Sequence, residues 1–299
     1  MNVVDVPAWA GEDLAELLAL ERLSPTQFRN RCGDRNAHDR TYGGQVLAQA
    51  LMAASHTAPA GRTATAMQFL FLQGAVHREA IQFDVTALQD GKRFTSRHVR
   101  GAQSGGRLIF DAQVSFAVPL PAPAHAVPAE PLALQETPED LPRLSDLPAA
   151  WGAEITRALG YGLVDKPAVD FRLPPVPVGL RLTLPEPRLR FWLKTSRALP
   201  DAPMLHAGVF AYLSDWWLNY ASVGGHLQAM ESAQGLYVAS LNHAIWWHRP
   251  FRADAWLHFD CRSPASNAGR GLTVAQVHDR SGQLVASATQ ECLMAPRAA

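Results

Sequence analysis

The sequence predicts an α+β protein made of one unit used twice, each an antiparallel sheet wrapped around a long helix, with a proline-rich connector between them. Three observations carry this. The chain has 299 residues and is 47% hydrophobic, long enough and apolar enough for two cores. Pro119, Pro121, Pro123, Pro128, Pro131, Pro138, Pro142 and Pro148 crowd one stretch, where neither a regular helix nor a central strand can form. The order of elements before that stretch returns after it.

The first unit, residues 1–118, begins with a strand-like SPTQFRNRC and continues into GGQVLAQALMAASH, where Val46, Ala50 and Ala54 beside Leu47 and Leu51 form one helical stripe. Four β-rich runs follow: TATAMQFLFLQG, AIQFDVTALQD, RFTSRHVRGAQ and GRLIFDAQVSFA. Residues 119–168 form the connector. The second unit, residues 169–299, repeats the series with RLRFWLK, the helical APMLHAGVFAYLSDWW, then LYVASLNHAIWWH, AWLHFDCRS, RGLTVAQVHD and QLVASATQECLM. Ser104-Gly105 precede Gln113 at the spacing by which Ser281-Gly282 precede Gln290, a faint echo at residue level. A strand, a long helix and four meandering strands are the hotdog arrangement, so the whole reads as a double hotdog. Side-by-side pairing of the two sheets would remove an exposed edge strand from each.

Composition narrows the function. Lys+Arg 27 balance Asp+Glu 27, which removes the basic excess expected of a nucleic-acid binder and leaves any anionic ligand to local cations. Cys32, Cys261 and Cys292 are odd in number, widely spaced and in no CxxC pair, so neither a disulfide framework nor a zinc site is expected, and a reducing cytoplasm fits. The N-terminus has no basic segment before an apolar one, and no window of about 18 apolar residues occurs, so neither secretion nor a membrane span is expected.

Chemistry gathers in the second unit. Asp201 is a candidate N-cap for its helix, with Pro203 in the first turn. Stepping back from Asp215 by helical turns meets Ala211, Gly208 and Met204, so a carboxylate sits on a small, apolar stripe that should face the sheet. Such burial costs several kcal/mol unless the group is hydrogen-bonded, so Asp215 is either a site residue or a structural acceptor of backbone or Trp N–H bonds. In the last strand Gln290 is the one polar group among Ala286, Ala288, Cys292 and Met294. Its amide could orient a water or simply bond a neighbouring backbone. Gln113 shares its face with Asp111 and Ser115, away from the apolar one. Ser240 could hold the same water from another strand, or be an ordinary strand serine. His243 and His248, five residues apart in a strand, face opposite sides, and no ligand cluster or GxSxG elbow accompanies them. Gly43-Gly44 at the first helix's start could present the N–H groups near Gly44 and Gln45 to a carbonyl oxygen, or merely allow tight packing.

YGGQVLAQALMAA, GKRFTSRHV, the helix ending AYLSDWW, SLNHAIWWHRPFRADAWLHFD with the SPASNAGRG that follows, and GQLVASATQECL together resemble the acyl-CoA thioesterase II family, the tandem-hotdog hydrolases, over nearly the whole chain. That resemblance implies a triad of Asp, Thr or Ser, and Gln around an attacking water, here Asp215, Ser240 and Gln290. It implies direct hydrolysis of an acyl-CoA with no covalent intermediate and no cofactor, and a homodimer or larger assembly. Arg93, Arg97 and Arg249 are then candidates for the CoA phosphates. The chain departs from the pattern at Ser240, where many members carry Thr, and at Asn242, where an Asp is expected. Thr65 and Gln68 stand in place of histidines, and Gln73 in place of an arginine. Two rival readings share the fold: a non-catalytic acyl-CoA-binding protein, and a hydratase or dehydratase, which would need a His partner for Asp215 that the sequence does not supply.

Overall fold

The structure, a computed structural model, describes residues 3–131, 135–143, 146, 166–174, 186–226 and 236–296. Much of the proline-rich stretch from 144 onward, Pro148 included, lies outside the described residues. Helix α1 (Leu14–Leu18) and strands β1 (Leu20–Arg22) and β2 (Gln27–Asn30) precede the long helix α2 (Gly43–Ser55). Then come β3 (Thr63–Phe71), β4 (Gln82–Asp90), β5 (Phe94–Gln103) and β6 (Arg107–Ala117). Beyond the connector lie β7 (Val169–Arg172), β8 (Arg188–Thr195), helix α3 (Pro203–Ser214) and the short α4 (Tyr220–Val223). The chain finishes with β9 (Leu236–Trp247), β10 (Leu257–Asn267), β11 (Arg270–Asp279) and β12 (Leu284–Pro296).

The strands form one continuous antiparallel sheet in the order β1-β2-β4-β5-β6-β3-β9-β12-β11-β10-β8-β7. Its midline is the pairing of β3 with β9, where Phe69 lies opposite His243. Each strand would be a bare edge without the other, so this pairing satisfies both. The connector is extended over residues 119–130 and makes a turn at Pro138–Asp140. It is pinned to the second half: Trp192 Nε1 donates to Glu136 (2.8 Å), Trp256 Nε1 to Glu139 (3.0 Å), and Arg188 pairs with Glu130 (2.8 Å).

The apolar stripe of α2 is buried throughout, and α3 is buried on all sides from His206 to Ser214 because sheet and helix enclose it. The two helices run antiparallel in close contact. A Cβ on Gly44 would come within 2.4 Å of the Tyr212 carbonyl oxygen, and one on Gly208 within 2.9 Å of Met52 Sδ, so glycine at both places sets the approach. Helix α3 begins at Pro203 with Ala202 as its N-cap and no side-chain cap. Asp201, expected to cap it, instead projects into solvent towards Arg252 Nη1 at 3.3 Å.

The same irregularity recurs on both sides of the midline. Against β6, strand β3 passes from Ala66 to Ala64 with Thr65 unpaired; against β12, strand β9 passes from Asn242 to Ser240 with Leu241 unpaired. Each is a bulge that turns the following side chain to the other face. His243 points inward opposite Gln290, and three residues away Ser240 would point outward in a regular strand. The extra residue brings it inward, opposite Cys292.

Candidate active site

Asp215 is the C-cap residue of α3, still helical in conformation at φ −81° and ψ −2°. The C-terminus of its own helix disfavours a carboxylate there, but the N-terminus of α2 lies against it and favours one. The Gly44 N–H, one of the donors that a helix start leaves unpaired, bonds the carboxylate. A Cβ on Gly43 would sit 2.5 Å from Asp215 Oδ2, so close passage of the backbone requires glycine. Just beyond, Trp217 adopts a left-handed φ of 61°, uncommon for an aromatic residue, and its ring is held by Phe171 and Tyr220 at centroid distances of 5.2 and 5.0 Å.

The other two groups come from the sheet. Gln290 is fully buried, and its Nε2 donates to Asp215 Oδ1 at 2.5 Å and to Ser240 Oγ at 2.8 Å. Asn219 Nδ2 also donates to Ser240 Oγ, at 3.2 Å. Burial pushes the Asp215 carboxyl up to about 7, held from rising further by Gln290, the Gly44 N–H, the Lys166 ammonium and Ser240. Such a group is a carboxylate ready to take a proton near neutral pH. Asp215 and Ser240 open onto a cavity of about 510 Å³ whose walls include Tyr42, Gly43, Phe71, Trp216 and Val223.

Three of the residues singled out in the sequence are thus brought together: Asp215, Ser240 and Gln290. The N–H groups of Gly44 and Gln45 are both taken, the first by Asp215 and the second by the Tyr42 carbonyl at 3.1 Å. None of Arg93, Arg97 and Arg249 lines the cavity. Arg97 is 2% exposed and spent on Thr57, Asp90 and the carbonyls of Gln89 and Ser96. Arg249 donates to Gln283 at 2.8 Å. Among the described residues, the Lys and Arg side chains that do line the cavity are Arg40 and Lys166. Sequence reasoning passed over both: Arg40 lies in a polar loop with no pattern, and Lys166 lies in the connector.

His243 is buried with Nε2 3.0 Å from Ser214 Oγ, and burial pulls it down to about 3, so it stays neutral and is engaged away from Asp215. His248 meets Ser287 at 2.9 Å on the other face. Among the described residues no group of three or more His, Cys, Asp or Glu could hold a metal, and no helix is long and apolar enough to cross a membrane. Gln113 is exposed, as its face required. Asn242 also faces away from the site and donates to Glu291 at 3.0 Å.

The fold is the hot dog fold. A hot dog protein from Alicyclobacillus acidocaldarius superposes with a TM-score of 0.73 at 16% identity, covering 95% of this chain and 98% of its own. Residues 138–294 match the family of acyl-CoA thioesterase C-terminal domains, and residues 33–117 that of acyl-CoA thioesterase N-terminal domains. The chain is 28% identical to acyl-CoA thioesterase 2 of Haemophilus influenzae, over 94% of this chain and 96% of that one. It is 29% identical to an acyl-CoA thioesterase II of known structure from Mycobacterium marinum, with a TM-score of 0.75 over 96% and 99% of the two chains. The chain belongs to the acyl-CoA thioesterase II family and is a thioesterase.

Proposed function

We propose that this protein hydrolyses acyl-CoA thioesters by direct attack of a water held among Asp215, Ser240 and Gln290. The observation that carries the reading is the convergence of these three side chains, from a helix end and two strands, with Asp215 and Ser240 at the cavity wall and the buried Gln290 amide donating to both from behind. Asp215 takes the proton of the water as it attacks the thioester carbonyl carbon. Gln290 and Ser240 orient the attacking water, and the tetrahedral intermediate collapses to the carboxylic acid with loss of the CoA thiolate, which receives the proton that Asp215 took and so restores the carboxylate. Negative charge growing on the carbonyl oxygen is met by the positive end of α2, already turned towards this point by its bond from Gly44 to Asp215. Arg40, at the cavity wall, takes the part of CoA-phosphate contact first given to Arg93, Arg97 and Arg249.

The layout belongs to the same reading: two hotdog units, residues 1–118 and 169–299, with residues 119–168 crossing between them. The continuous sheet with its midline at β3 and β9 supports it. Assembly into a homodimer or larger oligomer goes with it, supported by Leu70 and Trp246, exposed on those two adjacent strands, and is checked by sedimentation.

The test is thiol release from acetyl-, hexanoyl-, decanoyl- and palmitoyl-CoA by wild type, Asp215→Asn and Gln290→Ala. Wild type should turn over at least one chain length, and loss of the base should cost roughly 10²–10⁴-fold. A pre-steady-state burst of CoA equal to the enzyme concentration, ahead of fatty acid, would overturn direct attack. Binding of acyl-CoA without turnover would replace hydrolysis with a carrier role.

A further inference from the structure

Lys166 belongs to the connector by sequence, yet its ammonium lies buried at the wall of the catalytic cavity, with the side chain 7% exposed. Nζ donates to the carboxylate of Asp34, itself 7% exposed, and to the Tyr212 hydroxyl at 3.1 Å; that hydroxyl in turn donates to Asp34 Oδ2 at 2.9 Å. Aromatic rings enclose the cation, with Tyr42, Tyr212 and Trp216 centroids 4.1, 5.4 and 5.5 Å away. Tyr42 precedes α2 and its hydroxyl donates to the Tyr212 carbonyl at 3.2 Å; Tyr212 lies in the last turn of α3; Trp216 follows Asp215. Three separate segments therefore meet at one ammonium: the loop before α2, the end of α3 and the connector.

A buried ion pair of this kind is weak support for stability, because desolvation of both charges offsets their attraction. Its placement suggests another use. The start of α2 supplies the N–H that Asp215 accepts, and the end of α3 supplies Asp215 itself, so whatever fixes one to the other fixes the base. We propose that Lys166 is a positioning residue for the hydrolysis, locking these two helix ends together through Asp34 and Tyr212 and setting a fixed positive charge beside Asp215. This rests on Asp215 being the base.

The charged and titratable groups around Asp215 give the sign. Lys166 approaches from the connector, Asp34 from the loop before α2, Tyr42 from the start of α2 and Tyr212 from α3, while Ser240 and Gln290 face it from the sheet as neutral groups. Arg40 and His38 line the same cavity, and the neutral His243 is engaged by Ser214. Lys166 favours the ionised carboxylate, and desolvation of Lys166 itself is countered by Asp34 and Asp215. Removing the cation should therefore make Asp215 hold its proton to higher pH, and removing Asp34 should leave the cation unneutralised and do the reverse.

The experiment is the pH dependence of kcat and kcat/KM for wild type, Lys166→Met and Asp34→Asn, beside Asp215→Asn. In Lys166→Met the acid limb should move up by about one unit, a shift typical of losing an opposite charge nearby, and kcat should fall more than KM changes. In Asp34→Asn the limb should move down. A purely structural contact would lower activity in both and move neither limb. If Lys166→Met is insoluble, Asp34→Asn decides alone, and an unmoved limb there overturns the proposal. If Asp215→Asn keeps wild-type activity and its acid limb, the base assignment has failed and this inference falls with it. If Asp215→Asn is inactive while the other limbs stay put, only the role of Lys166 falls.

Discussion

Across the β3–β9 midline the two halves share a backbone plan, but the three converging polar side chains Asp215, Ser240 and Gln290 all belong to the second. Past the hairpin bulge Gly101 pairs with Phe110 in one half and Val277 with Ala286 in the other, and four residues further on stand Val114 and Gln290. Opposite them lie Met67 and His243. Beyond the next bulge Ala64 faces Phe116, where Ser240 faces Cys292. At the helix ends, His56 caps α2 where Asp215 caps α3. The first half thus holds His56, Ala64 and Val114 where the second holds Asp215, Ser240 and Gln290. Its α2 terminus is also dressed for the opposite charge: Arg22 donates to the His56 carbonyl and Arg97 to the Thr57 carbonyl, and His56 stacks on Phe28. Cations suit a helix C-terminus; a carboxylate does not, unless another helix start is brought to it. The comparison teaches a division of labour, in which one half supplies the helix start and the other the three polar side chains.

The largest break in this asymmetry is Asp215→Asn. Thioester hydrolysis should fall by roughly 10²–10⁴-fold. Wild-type activity should rise with pH through about 7, as the base form appears, and the variant's residual rate should lose that limb. Stability runs the other way. A carboxyl raised from 3.8 to about 7 in the folded state binds its proton more tightly than the unfolded chain does, so stability is lost as pH rises between those values. Because the carboxylate faces an open cavity, the variant should be more stable than wild type by about 1–3 kcal/mol at pH 8 and equal to it near pH 3, as measured by urea unfolding.

Converting the first half is the reciprocal test. Val114→Gln puts an amide at the place equivalent to Gln290, but its neighbours are Met67 and Ala64 and offer no partner. The variant should lose about 1–3 kcal/mol of stability, read from its urea midpoint, and gain no second site. A gain of activity would show that position alone makes the site. Ser240→Ala removes the third contact and leaves Gln290 bonded to Asp215, so a smaller drop of roughly tenfold in kcat is expected, with Ser240→Thr restoring it.

How much of this was written in the sequence differs residue by residue. Gln290 was legible because β12 alternates without interruption up to it, and Asp215 because helical spacing ties it to Ala211 and Gly208. The four meander runs of each half were legible for the same reason. Ser240 was not accessible to periodicity, since a bulge at Leu241 reverses the alternation that would have placed it outside. The matching of Gln113 with Gln290 by Ser-Gly spacing was one residue out, because the two hairpins span equal lengths, Ala102 to Leu108 and His278 to Leu284, but the Ser-Gly pair sits one residue later in the second; register in the sheet makes Val114 the counterpart. Lys166 and Asp34 lie 132 residues apart and meet only in the folded core, and nothing in a Pro-rich connector marks one lysine as buried. Arg97 was visible as a cation but not as one consumed by the end of α2.

The smallest effect tests the departure at Asn242. The resembled pattern has an Asp two residues from Ser240, which in sequence looks close enough to orient the triad. In the sheet an even separation would put the two on one face, but the bulge at Leu241 puts Asn242 on the outer side, paired with Glu291 and hydrogen-bonded to it. Asn242→Asp therefore sets a second carboxylate against Glu291 in solvent, where Arg270 lies 3.5 Å from the Glu291 carboxylate. Like charges directly opposite on neighbouring strands cost about 0.2–1 kcal/mol, so the melting temperature should fall slightly at neutral pH and recover in high salt. kcat/KM should stay within about twofold of wild type, since a screened surface charge adds little to a site on the opposite face. A tenfold rise in activity would mean that Asn242 reaches the triad after all, and that the outward face of β9 takes part in the chemistry.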